Sequence, residues 1–260
     1  MLHHEISGNG KKPLVLLHGF MENTTIWEEM EAHLSKDFTL IKIDLPGHGK
    51  SKVYQEIHTV ELMAEKVKEV IDALKLEKIN LLGHSLGGYV SLAFAEKFPE
   101  ILESMTLFFS TTVADDDEKK QIRKRSIAVI DENFETFVKT SIPNLFSNNE
   151  KDILEGKIEL AKNIAKSTNK EGVKAAQLGM AERPDRTEIL ENLDAKILII
   201  AGKYDNAVKT ENLLKIIPEK TNIKTYVLDC GHNGHWEKPT ICAEIINTEL
   251  FHNLPKHFLL

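Results

Sequence analysis

Only two cysteines, Cys230 and Cys242, occur among the 260 residues. That is too few for a disulfide framework, so reduced thiols in a cytoplasm are expected. Long hydrophobic runs are missing as well: no apolar stretch nears the ~18 residues that a membrane span requires. The first residues, MLHHEISGNGKKP, hold no apolar core of a secretory signal. Basic charge is not in excess, since 33 Lys and Arg face 40 Asp and Glu, a net charge of −7. Such a chain has no bulk attraction for nucleic acid or anionic lipid, so neither nucleic acid nor membrane is an expected partner. Internal repeats, low-complexity tracts and linkers are also lacking. What is present, 42% hydrophobic and 28% charged residues, suits a soluble cytoplasmic globule large enough for one big core or two small domains. The composition says nothing of the oligomeric state.

Short β-type runs recur with helical stretches between them. Leu14 to Leu17, Thr39 to Ile43, Ile79 to Leu82, Met105 to Phe109, Lys196 to Ala201 and Ile223 to Leu228 are apolar without polar alternation, the pattern of parallel strands covered on both faces. Thr24 or Thr25 is placed to cap a helix bearing Trp27, Met30 and Leu34. Thr59 is placed to cap one bearing Met63, Val67, Val70, Ile71 and Leu74. Pro239 suits the first turn of a last helix with Ile241, Ile245, Ile246 and Leu250. This alternation predicts an α/β fold, a doubly wound, mostly parallel sheet.

From about 111 to 190 the alternation stops and no strand pattern is found. Helical spacing suggests four segments, around Ile122, Ser126 and Val129; around Phe134, Phe137 and Val138; from Ile153 and Leu154 through Ile158, Ala161 and Ile164; and around Val173, Ala176 and Met180, capped by Asn169. The expected organisation is a core of residues 1–110 and 191–260 with a helical cap, 111–190, inserted over the carboxyl ends of the strands, where α/β ligands sit. The run from Asp115 to Arg125 reads as a helix start with carboxylates in the first turn and a solvated basic face. A sharper reading turns Arg123 or Arg125 under the cap toward a substrate carboxylate.

The chemistry centres on Gly83-His84-Ser85-Leu86-Gly87, which stands between the run Ile79 to Leu82 and a helical stretch. A strand, a tight turn and a helix with serine at the apex would lift the Ser85 hydroxyl off the sheet edge. The same turn would leave the Leu86 amide at a helix N-terminus, facing a developing oxyanion. Serine needs a base, and the base needs an orienting acid. Asp205 ends a short turn after the run Ile197 to Ala201; as an alternative, it caps the next helix. His232 follows Gly231 directly after the last strand, with His235 as its competitor. Cys230, His232, His235 and Glu237 also allow a metal cluster, although their spacing matches no common zinc pattern. A second oxyanion donor is expected from the Phe20 amide in His18-Gly19-Phe20-Met21.

Taken together, LHGF at 17–20, DLPGHGKS at 44–51, GHSLGG at 83–88, AGKYD at 201–205 and CGHNGHWEKP at 230–239 resemble the α/β-hydrolase superfamily over nearly the whole chain. The resemblance implies Ser85 as nucleophile, Asp205 as acid and His232 as base. It also implies Phe20 and Leu86 as oxyanion donors and a helical cap. The superfamily's G-H-x-x-x-x-E-x-P run matches His232 and Glu237, which favours His232 over His235, and Asp44 to Ser51 corresponds to a structural loop. Only a short strand, around Leu2 to Ile6, precedes the Leu14 run, so the sheet lacks the superfamily's usual first strand. Within the superfamily the chain is similar to small bacterial esterase-like hydrolases. The expectation is therefore a carboxylesterase-like serine hydrolase of small to medium acyl esters that needs no metal or organic cofactor. The same triad also serves enol-lactonases, carbon–carbon bond hydrolases and the menaquinone-pathway lyase, which would call on Arg123, Arg125, Arg183 or Arg186. In a different class, a ligand-sensing protein keeps the triad and works through cap movement.

Overall fold

The uninterrupted apolar runs become the strands of one sheet in the computed structural model, which describes residues 1–34 and 36–251. The strands are β1 (His4–Ser7), β2 (Lys12–Leu17), β3 (Phe38–Ile43), β4 (Ile79–His84), β5 (Leu102–Phe108), β6 (Lys196–Gly202) and β7 (Ile223–Leu228). Their order is β1-β3-β2-β4-β5-β6-β7. All neighbours pair in parallel except β1, which runs antiparallel to β3 at the edge. The helices are α1 (Glu28–Leu34), α2 (Val60–Ala73), α3 (Leu86–Lys97), α4 (Asp117–Ser141), α5 (Glu155–Ser167), α6 (Lys170–Glu182), α7 (Glu188–Asn192), α8 (Thr210–Lys215), α9 (Gly234–Glu237) and α10 (Pro239–Ile246).

The missing polar alternation has a direct cause. Successive residues of one strand enter two different cores, because side chains alternate across the sheet. Val15, Leu17, Ile197 and Ile199 pack with α2 and α3, whereas Leu14, Leu16, Leu198 and Ile200 pack with α1 and α10. Thr59 caps α2 by accepting from the Leu62 amide at 3.1 Å, and Pro239 occupies the first turn of α10.

Three expectations about boundaries need correction. Neither Thr24 nor Thr25 caps a helix; Asn23 Oδ1 accepts from the Thr25 amide at 3.0 Å and caps a 3-10 turn, Thr24–Trp27, ahead of α1. The fifth strand stops at Phe108, because Phe109 takes φ +49, a left-handed conformation that no strand accommodates. The first strand starts at His4 and not at Leu2, and it is the one strand ahead of β2 among the described residues.

Helices α4 to α7 connect β5 to β6, with no strand among them. Two expected helices are one kinked element: Asn133, at φ −155 and ψ 85, breaks α4, and its Oδ1 accepts from the Thr136 amide at 2.9 Å to restart it. Asn169 caps α6, as expected, through the Glu171 and Gly172 amides. The expected apolar stripe on α4 fails in part. Ile122 and Val129 are exposed, and Ile130 is the buried residue of that half. Ile153 precedes α5 and is exposed as well. No helix among the described residues is long and apolar enough to cross a membrane. Residues 252–260, assigned to the core from the sequence, lie outside the described residues.

Candidate active site

The turn between β4 and α3 is as tight as its glycines suggest. A Cβ on Gly83 would lie 2.2 Å from the Gly87 carbonyl oxygen, and one on Gly87 would lie 2.4 Å from that of Leu17. Ser85 takes φ +49 and ψ −110, a costly conformation for a non-glycine residue that the surroundings must hold in place. They do so through the backbone: the Ser85 amide donates to Phe108 O at 3.0 Å, and the Ser85 carbonyl accepts from the Gly88 amide and the Ser110 hydroxyl. The side chain is left out of this bracing. It faces a cavity of about 570 Å³ that Phe20, Tyr89 and His232 also line.

Asp205 and His232 meet after β6 and β7. His232 Nδ1–H donates to Asp205 Oδ2 at 2.7 Å, with both side chains buried. That bond leaves Nε2 as the free ring nitrogen. Burial pulls the His232 pKa down, but the charge and hydrogen bond of Asp205 more than offset it, and the net shift is upward from 6.5. The alternative reading of Asp205 as a helix cap fails: no helix starts at Asn206, α8 opens only at Thr210, and the other oxygen, Oδ1, instead accepts from the Ala207 and Val208 amides at 2.7 and 2.9 Å in a non-helical turn. Glu237 braces the histidine loop from below, accepting from the amides of Gly231, Ser147 and Asn233.

The two amides singled out as oxyanion donors stand at the expected turns. Phe20 lines the cavity, ahead of Met21 at φ +58, and Leu86 opens α3 with its side chain buried. Among the described residues, neither amide donates to a protein acceptor. The loop carrying Phe20 is fixed by His18, whose Nε2 accepts from the Leu45 amide at 2.9 Å and whose Nδ1–H donates to Gly19 O at 2.7 Å. This arrangement makes His18 a neutral tautomer, and its burial lowers its pKa in the same sense. Asp44 is structural: its two oxygens accept from the Thr24 and Lys50 amides.

The metal reading of the last loop does not assemble. Glu237 is committed to backbone amides, and His232 to Asp205. His235 is buried and packs against Trp236 and His84, with ring centroids 4.4 and 4.6 Å away. Among the described residues, the group able to gather three ligand atoms is Glu22, His84 and His235. Neither Glu22 nor His84 drew notice in the sequence. Their only signals were a glutamate two residues beyond HGF and a histidine inside GHSLGG.

The solvated-face expectation fails for Arg123. This residue lines the cavity, its side chain is 14% exposed, and it is ion-paired to the buried Asp115. Its Nη1 donates to Gln177 Oε1 at 3.0 Å. Arg125 is exposed, as the bland reading has it. Arg183 also pairs with Asp115 and stacks over Tyr89, and Arg186 pairs with Glu61 and Glu96.

Residues 12–239 match the family model described as the alpha/beta hydrolase fold. The chain belongs to the α/β-hydrolase fold family. A solved structure of a thermophilic esterase from Thermogutta terrifontis, malate bound, superposes with a TM-score of 0.89 at 32% identity, covering 96% of this chain and 92% of that one. The Escherichia coli 2-hydroxy-6-oxononadienedioate/2-hydroxy-6-oxononatrienedioate hydrolase is 26% identical over 252 residues, 91% of this chain and 86% of that protein. An uncharacterized protein of Mycobacterium tuberculosis is 34% identical over 111 residues, so the chain spans about a third, 32%, of the length of such curated relatives.

Proposed function

We propose that this family member is a serine hydrolase that cleaves small to medium carboxylic esters through an acyl-enzyme on Ser85. The observation that carries the reading is a strained elbow serine sharing one cavity with a buried His232–Asp205 pair. Residues 111–190 act as a cap on the core segments 1–110 and 191–260, since Arg123, Phe137 and Gln177 from this stretch help line the cavity. His232 Nε2 accepts the Ser85 proton as Oγ attacks the acyl carbonyl. Asp205 keeps the ring oriented and stabilises the imidazolium. The Phe20 and Leu86 amides receive the oxyanion, and His232 then protonates the leaving alkoxide and activates water for deacylation.

The pH profile follows from the shift on His232. The base must be neutral, and its pKa is raised by Asp205 above 6.5. Ester kcat/KM should therefore rise with pH with a midpoint above 6.5. Asp205→Asn removes the charge that offsets burial, so the residual activity should titrate below 6.5, with kcat lower by on the order of 10³–10⁴-fold. An acid limb unmoved by Asp205→Asn contradicts the pairing.

Arg123 supports a narrower reading, in which the preferred ester carries a carboxylate. One buried carboxylate, Asp115, is shared by Arg123 and Arg183, so the Arg123 guanidinium on the cavity wall has donors left for a substrate carboxylate, although Asp116 and Glu118 line the same cavity. The relatives agree in kind: one is named for dioate substrates and the other holds malate. Arg123→Ala should raise KM for carboxylate-bearing esters about 10-fold, the loss of one charge-assisted contact of ~1.5–3 kcal/mol. Neutral esters assayed on the same variant control for any disturbance of Asp115. Equal effects on both classes overturn the narrower reading.

A further inference from the structure

Beneath Ser85 lies a buried pair that the proposed chemistry does not use. His84, 1% exposed, has both ring nitrogens within hydrogen-bond distance of groups that only accept. Nδ1 is 2.8 Å from Glu22 Oε2, an oxygen that already accepts from the Gly19 amide at 2.6 Å. Nε2 is 3.0 Å from the backbone carbonyl oxygen of His232. A backbone carbonyl accepts only, and so does an ionised carboxylate. With Glu22 ionised, both bonds require a proton on each nitrogen, which only the imidazolium provides.

From this geometry we infer that Glu22 and His84 form a carboxylate–imidazolium pair that positions the three catalytic loops against one another. The inference rests on the triad reading proposed above. His84 is the residue before the nucleophile. Its Nε2–H holds the main chain of the base. Through Glu22, its Nδ1–H holds Gly19, the residue before the Phe20 amide. The packing leaves no slack: a Cβ on Gly19 would lie 2.6 Å from Glu22 Oε2 and 2.7 Å from His84 Nδ1. Glycine at this position thus lets the carboxylate and the imidazole close on the loop backbone.

The titratable groups facing the pair are His235, His18 and His232. Burial alone would raise the Glu22 carboxyl, but the charge and hydrogen bond of His84 hold it below the usual carboxylate range. His235 on α9 faces the other oxygen, with Nε2 3.7 Å from Glu22 Oε1. Its pKa lies well below the ordinary value through burial and then through His84, so it stays neutral. His18 is neutral by its tautomer, and His232, 5.1 Å away between ring centroids, is bonded to Asp205. Phe108 and Phe109 close the remaining sides. Glu22 and His84 are 62 positions apart, so the pair is a product of the fold.

The test uses the full chain labelled with ¹⁵N-histidine at pH 7.0, with His84 assigned by loss of its signals in His84→Gln. The expected spectrum shows protons on both His84 ring nitrogens, and a bare nitrogen overturns the inference. This reading needs no variant and no activity. In Glu22→Gln, kcat for a neutral ester should fall about 10–100-fold, the scale of a small misplacement of reacting groups, with KM changed less than about threefold. One His84 ring proton should disappear in that variant. Wild-type kcat with an unchanged His84 spectrum in Glu22→Gln also overturns the inference; should the variant not fold, the wild-type spectrum decides. Ser85→Ala assayed in parallel separates the two claims: normal turnover there defeats the nucleophile reading, whereas the His84 spectrum bears on the pair alone.

Discussion

Replacing Ser85 by alanine is expected to abolish ester turnover and leave the fold as it is. The backbone bonds that hold the elbow, from the Ser85 amide to Phe108 and to its carbonyl from Gly88 and Ser110, do not involve its side chain. Among the described residues its hydroxyl makes no hydrogen bond to the protein. Alanine at φ +49 carries about the strain that serine already carries. The melting temperature should therefore move little while kcat falls by on the order of 10⁴–10⁶-fold, the range of triad knockouts. Turnover within about tenfold of wild type ends the nucleophile assignment.

The second large effect separates two histidines of one loop. His232→Ala removes the group bonded to Asp205 and should cost activity on the same scale as Ser85→Ala, because members of a triad act as a unit. His235→Ala should mainly cost stability. Its ring is fully buried among Trp27, His84 and Trp236. Neither ring nitrogen is hydrogen-bonded, so its removal orphans no partner. Emptying the space is expected to cost about 2–4 kcal/mol, seen as a lowered melting temperature, with kcat within about tenfold of wild type. An inactive His235 variant beside an active His232 variant would reverse the two roles.

The elements of the site closest to the sheet were legible because tight backbone geometry leaves a mark in residue type. Gly83 and Gly87 are glycines because a Cβ has no room, and that requirement flags Ser85 between them. Gly231 and Glu237 bracket His232 for a similar reason, since the glutamate holds the loop amides. The strands were legible because both faces of the sheet are buried and every position of Leu14 to Leu17 must be apolar. The helices between β5 and β6 were harder. Periodicity located α4 and part of its inward face, since Ile122 and Ser126 line the cavity while Val129 is exposed, but it gave no sign that the lining also includes a part-buried charged residue, Arg123. Its direction is set by Asp115 and by Gln177 on α6, a contact between residues 54 apart. The Glu22–His84 pair was illegible for the same reason: neither residue is unusual until the fold brings them to 2.8 Å.

A covalent intermediate at Ser85 is tested most directly by the mass of the protein quenched during turnover of a p-nitrophenyl ester, followed by peptide mapping. The prediction is one acyl group per chain, carried on Ser85, formed no faster than the burst of p-nitrophenol and absent from the His232→Ala protein at the same time point. Rapid turnover with no acyl group on the protein, or an acyl group mapped to another residue, contradicts it.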